Sequence, residues 1–300
     1  MNKTVLIAGA SGQDGFYLSK KLINKGYKVI GLSRKNRKLE FCDKVIKTNY
    51  NKNNLVKIIK KFKPKIIFNF AGETSPKVSW KVSFSTINSI IRINQNFLNS
   101  ILVTNKKIKY FNASSAEIFG NSKKKLSENS KYYPQNPYGC FKLCAHQNLI
   151  IYRKKYKLFL VNGILFNHES KRRPNRFLSS KIIRGGKEIL KKKKRKLILN
   201  NPNPIRDFAH AEDIVDGIFR IMNLKKPDDY VISGGNILSV KNFAEKIFNK
   251  LGIDKRKIIF ENKIKKNYLD IKVGNSIKIK KKTKWKVKYT GKKFIDSLLV

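Results

Sequence analysis

Short apolar runs alternate with amphipathic stretches along the first half of the chain. Residues 4–10 (TVLIAGA) form an apolar run that ends in glycine, which is typical of a buried parallel strand. Residues 13–25 carry apolar side chains at helical spacing, and Gly26 ends the pattern. Further strands are predicted at 28–33, 44–48, 65–71, 109–113 and 158–166, with helices at 55–62, within 83–104 and at 138–156. This alternation predicts an α/β fold with a doubly wound parallel sheet and helices on both faces.

The pattern changes after about residue 167. Helical stretches are predicted near 176–192, 211–223 and 239–250, with short strands at 196–199, 205–208 and 230–233. We therefore divide the chain into a sheet domain at 1–166 and a smaller C-terminal α/β domain at 167–300. The second domain is expected to close over the C-terminal edge of the sheet and to cross back to it near 205–235.

The net charge of +49, from 68 Lys and Arg against 19 Asp and Glu, suggests a nucleic-acid binder. However, 56 of the basic residues are Lys and 12 are Arg, and the chain has 37 Ile against 9 Ala, as an AT-rich genome would produce. A phosphate-binding surface would use more Arg, because its guanidinium can bind phosphate through two hydrogen bonds. We therefore attribute the positive charge to compositional drift together with binding of an anionic ligand, and we expect no specific nucleic-acid partner.

The lengths of the apolar runs and the use of cysteine argue against a membrane-spanning protein, a disulfide-rich secreted protein and a metal-binding protein. No apolar run approaches the 18 or so residues of a membrane-spanning helix, and a glycine follows the N-terminus too soon for a signal peptide. The three cysteines are odd in number and match no metal-ligand spacing, so we expect neither a disulfide framework nor a metal site. A reducing cytoplasm is therefore the expected location.

The turn after the first strand has the sequence GASGQDG, a G-x-x-G-x-x-G spacing between a predicted strand and a predicted helix. Glycines at these positions permit a tight turn and close approach of a pyrophosphate to the helix N-terminus. The first domain is therefore predicted to be a Rossmann-type nucleotide-binding domain. The predicted cofactor-binding loop consists of Gly9, Ala10, Ser11, Gly12, Gln13, Asp14 and Gly15.

The end of the second strand carries Arg34 and Lys35. An acidic residue here would bind a ribose 2′-hydroxyl, whereas basic residues accommodate a 2′-phosphate. The sequence therefore favours NADP over NAD.

Tyr138 and Lys142 form a Y-x-x-x-K pair, and a spacing of four places both side chains on one helix face. A nearby ammonium would lower the pKa of the phenol and make it available as a base. Ser115 and Glu117 follow the fifth strand, at the sheet edge where catalytic groups of such folds lie. An elimination needs a carboxylate such as Glu117, but a plain reduction or epimerisation does not.

These motifs resemble the extended short-chain dehydrogenase/reductases and, among them, the GDP-mannose 4,6-dehydratases. The resemblance covers nearly the whole chain, and NGILFNHES followed by two arginines is its most specific part. The segments that carry it are GASGQDG (9–15), NASSAEIFG (112–120), NPYGCFK (136–142), NGILFNHESKRR (162–173) and IRDFAHAEDIV (205–215).

The resemblance implies a lyase that converts GDP-mannose to GDP-4-keto-6-deoxy-mannose. Tyr138 would remove the 4-hydroxyl proton, and Lys142 would hold the nicotinamide ribose. Glu117 would remove the C5 proton and help the C6 hydroxyl leave as water, while Ser115 would bind O4. The family implies further cofactor contacts at Phe70, Ala71, Gly72, Glu73, Thr74, Ser85, His168 and Arg173, and substrate contacts at Asn167, Lys181, Arg206 and Lys265.

The chain also departs from the family pattern. The segment at about 34–47 is shorter, although in the family an extension there supports a tetramer, so the expected assembly is a homodimer or a homotetramer. Lys265 stands where an arginine is usual, and residues 48–50 (TNY) replace an Asp-Leu pair. A nucleotide-sugar epimerase or 4-ketoreductase of the same fold is the alternative, and a nucleic-acid-binding protein on a degenerate nucleotide fold is a remote one.

Overall fold

The computed structural model describes residues 3–261 and 270–299. Its strands are β1 (Thr4–Ala8), β2 (Lys28–Ser33), β3 (Lys44–Lys47), β4 (Ile66–Asn69), β5 (Lys109–Ser115), β6 (Leu160–Leu165), β7 (Asn167–Glu169), β8 (Leu197–Leu199), β9 (Ile205–His210), β10 (Asp229–Ile232), β11 (Asn236–Ser239), β12 (Ile258–Phe260) and β13 (Ile271–Lys272). Its α-helices are α1 (Gln13–Ile23), α2 (Lys52–Phe62), α3 (Pro76–Ser79), α4 (Ser83–Ile87), α5 (Ile93–Thr104), α6 (Pro137–Tyr156), α7 (Leu178–Leu190), α8 (Ala211–Met222), α9 (Val240–Lys250), α10 (Ile277–Thr283) and α11 (Gly291–Leu299).

The central sheet has seven parallel strands in the order β10-β6-β5-β4-β1-β2-β3. This confirms the predicted doubly wound α/β fold. Side chains of β1 alternate between two cores: Val5 and Ile7 pack with α1 and α8, whereas Leu6 and Ala8 pack with α2 and α5. Burial on both faces explains why this strand is an unbroken apolar run.

The strand order reverses at β1, which lies between β4 and β2. Ligands of open parallel sheets bind at such a point, beyond the carboxyl ends of the strands. The glycine loop after β1 and the segments after β4 and β5 all lie at this edge, so the fold alone brings the predicted site segments together.

The C-terminal part builds two smaller sheets. One contains β11, β9 and β13, with β7 also pairing with β9, and the other pairs β12 with β8. The chain returns to the central sheet at β10, whose strand pairs in parallel with β6. In the described part of the chain, no helix is long and apolar enough to cross a bilayer.

Several elements differ from the sequence prediction. The helix predicted within 83–104 is interrupted by a π-helical turn at Asn88–Arg92, between α4 and α5. The short elements β7, β13 and α10 were not predicted. Their lengths of three, two and seven residues leave too few positions for a hydrophobic period to show.

Candidate active site

The glycine loop needs its glycines for steric reasons. Gly9 has a φ of +78°, and a Cβ there would lie 2.9 Å from the carbonyl carbon of Phe70. A Cβ on Gly15 would lie 2.4 Å from the carbonyl oxygen of Gly9. The loop therefore packs closely against the end of β4 and against the start of α1, leaving the helix N-terminus open for a pyrophosphate.

One cavity at the carboxyl edge of the sheet contains all four predicted catalytic side chains. Ser115 ends β5, Glu117 lies in a short 3₁₀ turn after it, and Tyr138 and Lys142 lie in the first turns of α6. The remaining predicted site residues in its walls are Asp14, Phe70, Thr74, Asn167, His168 and Arg173.

Tyr138 is 7% exposed, and its backbone N–H donates to the Ser79 hydroxyl at 3.1 Å. The prediction that Lys142 lowers the pKa of this phenol is wrong for the structure: burial raises the pKa of Tyr138, while a hydrogen bond with Ser115 and the positive charge of Arg173 act in the opposite direction. The Ser115 hydroxyl and the Tyr138 phenol are therefore hydrogen-bonding neighbours in the cavity wall.

Lys142 is 8% exposed, and its Nζ donates to the carbonyl oxygen of Ala113 at 2.7 Å. The same Nζ lies 5.7 Å from the centre of the Tyr138 ring, as expected for residues four apart on one helix face. Burial lowers the pKa of Lys142 to about 8, and the carboxylate of Asp14 opposes this shift. The ammonium is thus directed toward the end of β5 and the site.

Both oxygens of Glu117 are engaged. Oε2 accepts a hydrogen bond from Asn136 Nδ2 at 2.7 Å, and Oε1 lies 3.2 Å from Lys272 Nζ. Asn136 also caps α6, because its Oδ1 accepts from the Gly139 N–H at 2.9 Å. Asn136 was not predicted as a site residue, although an asparagine before Pro137 is a helix-start signal. No sequence pattern near Glu117 could indicate its contact with Lys272, because the two residues lie far apart along the chain.

His168 joins β7 to the start of α1. Its Nε2 lies 2.9 Å from Asp14 Oδ1, and its Nδ1 lies 2.7 Å from the carbonyl oxygen of Phe166. Burial disfavours the charged imidazole, but the Asp14 carboxylate and these hydrogen bonds raise the pKa of His168 above its ordinary value. Gln13 adds two further bonds, donating to the His168 carbonyl and accepting from the Ser170 hydroxyl.

A second cavity adjoins the first and shares Phe70 and Thr74 with it. Arg37 and Tyr50 also lie in its wall and were not predicted as site residues. A second arginine three positions after Arg34 was the available signal for Arg37. The other predicted cofactor residues in this wall are Gly9, Ser11, Gly12, Arg34, Ala71 and Gly72, and Lys35 lies beside them.

Five predicted cofactor residues lie outside the walls of these two cavities. Ala10, Gln13 and Gly15 are members of the loop itself: the first two are buried, and Gly15 packs against Ala10. Glu73 forms an ion pair with Arg176 at 2.9 Å. Ser85 is exposed, and its hydroxyl donates to the Val82 carbonyl.

The four predicted substrate residues are placed differently from one another. Asn167 lines the first cavity, whereas Lys181 is exposed on α7 outside both cavity walls. Arg206 is held by Asp270, with 2.7 Å between its Nη2 and the carboxylate Oδ1. Lys265 lies outside the described residues.

Comparison with solved structures identifies the fold. A dTDP-glucose 4,6-dehydratase from Bacillus anthracis, solved in complex with NAD, matches with a TM-score of 0.86 at 20% identity and covers 99% of this chain and 95% of that chain. A UDP-glucose 4-epimerase from Thermotoga maritima, solved with UDP-glucose, matches with a TM-score of 0.87 at 18% identity, covering 99% and 97%. The protein has the Rossmann-type α/β fold of these enzymes.

Comparison with known sequences defines the family. The model of the GDP-mannose 4,6 dehydratase family matches residues 6–298. The GDP-mannose 4,6 dehydratase of Cricetulus griseus is 33% identical over 288 residues, covering 87% of this chain and 75% of that protein. The one from Dictyostelium discoideum is 32% identical over 328 residues, covering 95% and 92%. The chain belongs to the GDP-mannose 4,6-dehydratase family, which confirms the resemblance drawn from its motifs.

Proposed function

We propose that this protein is a lyase that removes water from GDP-mannose and forms GDP-4-keto-6-deoxy-mannose. The observation that carries the proposal is the placement of Glu117 in one cavity with Ser115, Tyr138 and Lys142. A carboxylate beside a Tyr-Lys pair adds to oxidation chemistry the base that an elimination requires.

The cofactor that we infer is NADP. The glycine cradle fits a dinucleotide, because a Cβ on Gly9 or Gly15 would meet backbone atoms, and Arg34, Lys35 and Arg37 surround the end of β2. When bound, the cofactor supplies a temporary oxidation of the sugar, taking hydride from C4 and returning it to C6. Residues 1–166 would hold the cofactor, and residues 167–300 would supply most of the contacts to the nucleotide sugar.

The side chains then divide the proton transfers among them. Tyr138 removes the proton of the 4-hydroxyl, and Ser115 donates a hydrogen bond to the same oxygen. The C4 ketone makes the C5 proton acidic, so Glu117 can remove it and pass it to the departing C6 hydroxyl. When hydride returns to C6, C5 takes up a proton from solvent, and Tyr138 releases the proton that it took from the 4-hydroxyl. Lys142 orients the ribose of the cofactor and adds positive charge beside the phenolate.

The diphosphate of the substrate would be bound from the C-terminal part of the chain. Asn167 already lines the cavity, and Arg206 and Lys181 would add positive charge. Arg206 would have to exchange its bond with Asp270 for a bond to phosphate. An Arg–phosphate pair is a strong charge-assisted interaction, which makes this exchange feasible.

The proposed reaction is tested with purified protein, GDP-mannose and NADP⁺ in deuterated water. We expect a 4-keto-6-deoxy sugar that carries deuterium at C5, and no net change in the cofactor. Proton NMR detects the sugar product, and nicotinamide absorbance monitors the cofactor. Formation of a deoxysugar only with stoichiometric consumption of NADPH would instead indicate a reductase. A C4 epimer without loss of water would indicate an epimerase.

The cofactor preference is tested by Arg34→Ala. Loss of a charged hydrogen-bonding group should weaken NADP⁺ binding about tenfold, since such bonds contribute about 1.5–3 kcal/mol. Binding of NAD⁺, which lacks the 2′-phosphate, should change little. The affinities for NADP⁺ and NAD⁺ are both measured by isothermal titration calorimetry. Lys38→Ala is the control, because Lys38 is exposed and lies outside the cavity walls. Equal losses for the two cofactors would contradict the assignment of Arg34 to the 2′-phosphate.

A further inference from the structure

Lys272 is a buried cation next to the proposed base. The residue is 6% exposed, and its Nζ lies 3.2 Å from Glu117 Oε1. Burying an ammonium is costly unless an opposite charge accompanies it. Within residues 3–261 and 270–299, Glu117 is the carboxylate within ion-pair distance of Lys272, so each group supplies the charge that the other needs.

Backbone hydrogen bonds fix Lys272 in this position. The N–H of Ser122 donates to the carbonyl of Ile271 at 2.9 Å, and the N–H of Leu126 donates to the carbonyl of Val273 at 2.8 Å. These bonds flank Lys272 on both sides and bind β13 to the segment that follows Glu117. The ammonium is therefore held in place by two chain segments and does not depend on a flexible surface contact.

We propose that Lys272 is a positioning residue that holds the Glu117 carboxylate in the orientation that removal of the C5 proton requires. The inference rests on the proposed function. Glu117 is in the cavity wall, whereas the described lining residues do not include Lys272. Lys272 thus acts through Glu117, holding Oε1 while Asn136 holds Oε2.

The elimination explains why an ionised carboxylate is needed. As the C5–H bond breaks, Glu117 takes the proton and the electron pair forms the enolate of the C4 ketone. As the C6–O bond breaks, Glu117 returns that proton to the leaving oxygen, which departs as water, and a C5–C6 double bond forms. Glu117 acts twice in this step, first at C5 and then at the C6 oxygen, so its carboxylate must be held where it reaches both atoms.

Other charged groups face the same region. From α6 the site contains Lys142, and on β9 Arg206 is in register with Lys272 but is paired with Asp270. None of these lies within ion-pair distance of Glu117 in the described part of the chain. The remaining titratable groups in the cavity wall are Asp14, Tyr138, His168 and Arg173.

The test compares Lys272→Met, which keeps the aliphatic length and removes the charge, with Lys272→Arg, which restores a cation. In Lys272→Met, kcat for dehydration should fall about tenfold to a hundredfold, because displacement of a catalytic group by as little as 1 Å can cost about a hundredfold in rate. KM for GDP-mannose should change little, and Lys272→Arg should recover most of the lost kcat. Lys250→Met, which breaks an ion pair with Asp296 elsewhere in the protein, is the matched control.

A second measurement needs neither cofactor nor substrate. In protein carrying ¹³C at the glutamate carboxyl, the Glu117 signal is identified by its loss in Glu117→Gln, and its chemical shift is compared between variants at one fixed pH. Lys272→Met should move this signal, and Lys272→Arg should restore its position. An unchanged signal and an unchanged kcat would overturn the inference while leaving the proposed function intact. Absence of dehydration in the unaltered protein would overturn the function, and the carboxyl signal would still test the ion pair. If Lys272→Met does not fold, Lys272→Gln serves for both measurements.

Discussion

Replacing Tyr138 with phenylalanine is expected to lower kcat for dehydration by about a thousandfold, within the range that a general base contributes. The phenol oxygen is the group that would remove the 4-hydroxyl proton, and no later step can begin before C4 is oxidised. The ring itself is 7% exposed and packs in a small core with Ile90 and Ala145, so phenylalanine preserves the packing. Binding of NADP⁺ should therefore change little.

The measurement combines steady-state rates with cofactor titration and a pH series. Because burial raises the pKa of Tyr138, the deprotonated phenol is scarce at neutral pH, and the oxidation rate of the unaltered protein should rise with pH. Tyr152→Phe is the matched control on the same helix, since Tyr152 donates to Asn99 away from both cavities. Substantial dehydration by Tyr138→Phe would exclude Tyr138 as the base.

Local patterns were sufficient to predict the central sheet and most of the side chains that meet in the candidate site. The apolar run of β1 is continuous because both of its faces are buried, and the loop after it must contain glycine because Gly9 and Gly15 contact backbone. Likewise, Tyr138 and Lys142 share a helix face by spacing alone. In each case the sequence signal is local, although Gly9 also contacts Phe70 at the end of the neighbouring strand.

The contacts that hold Glu117 could not be predicted in the same way. Lys272 reaches it only because β13 is bound to residues 122–126, and a two-residue strand has no periodic signal. In a chain with 56 lysines, one more lysine carries no information by itself. The pairing of Arg206 with Asp270 likewise depends on strands brought together by the fold.

The chain has only 19 acidic residues, and several of them have specific structural partners. Asp207 accepts from the backbone of Gly235 and Gly274, and Asp213 accepts from two backbone N–H groups at 288 and 289. Asp229 binds Arg153 with both oxygens. These carboxylates therefore have specific structural partners, whereas many lysines are exposed. Glu117 belongs with the acids that have specific partners, but it also faces a cavity.

Replacing Glu117 with glutamine is expected to lower the rate of dehydration by about a thousandfold while oxidation at C4 continues. Glutamine has nearly the same shape and can keep an oxygen toward Asn136, but it cannot accept the C5 proton. The sugar should therefore be oxidised to the 4-ketone and not lose water. Reducing the quenched mixture with borodeuteride should place deuterium at C4 of an intact hexose, which mass spectrometry detects.

Solvent exchange separates this outcome from a general loss of the site. In deuterated water, the unaltered protein should introduce deuterium at C5, and Glu117→Gln should introduce almost none, although its affinity for NADP⁺ is retained. Glu128→Gln is the matched control, because Glu128 accepts from the Val231 N–H outside the cavity and the amide oxygen can replace that contact. Full dehydration by Glu117→Gln would remove the carboxylate from the mechanism. Loss of C4 oxidation as well would assign Glu117 to the first step, so the labelling pattern determines at which carbon this carboxylate acts.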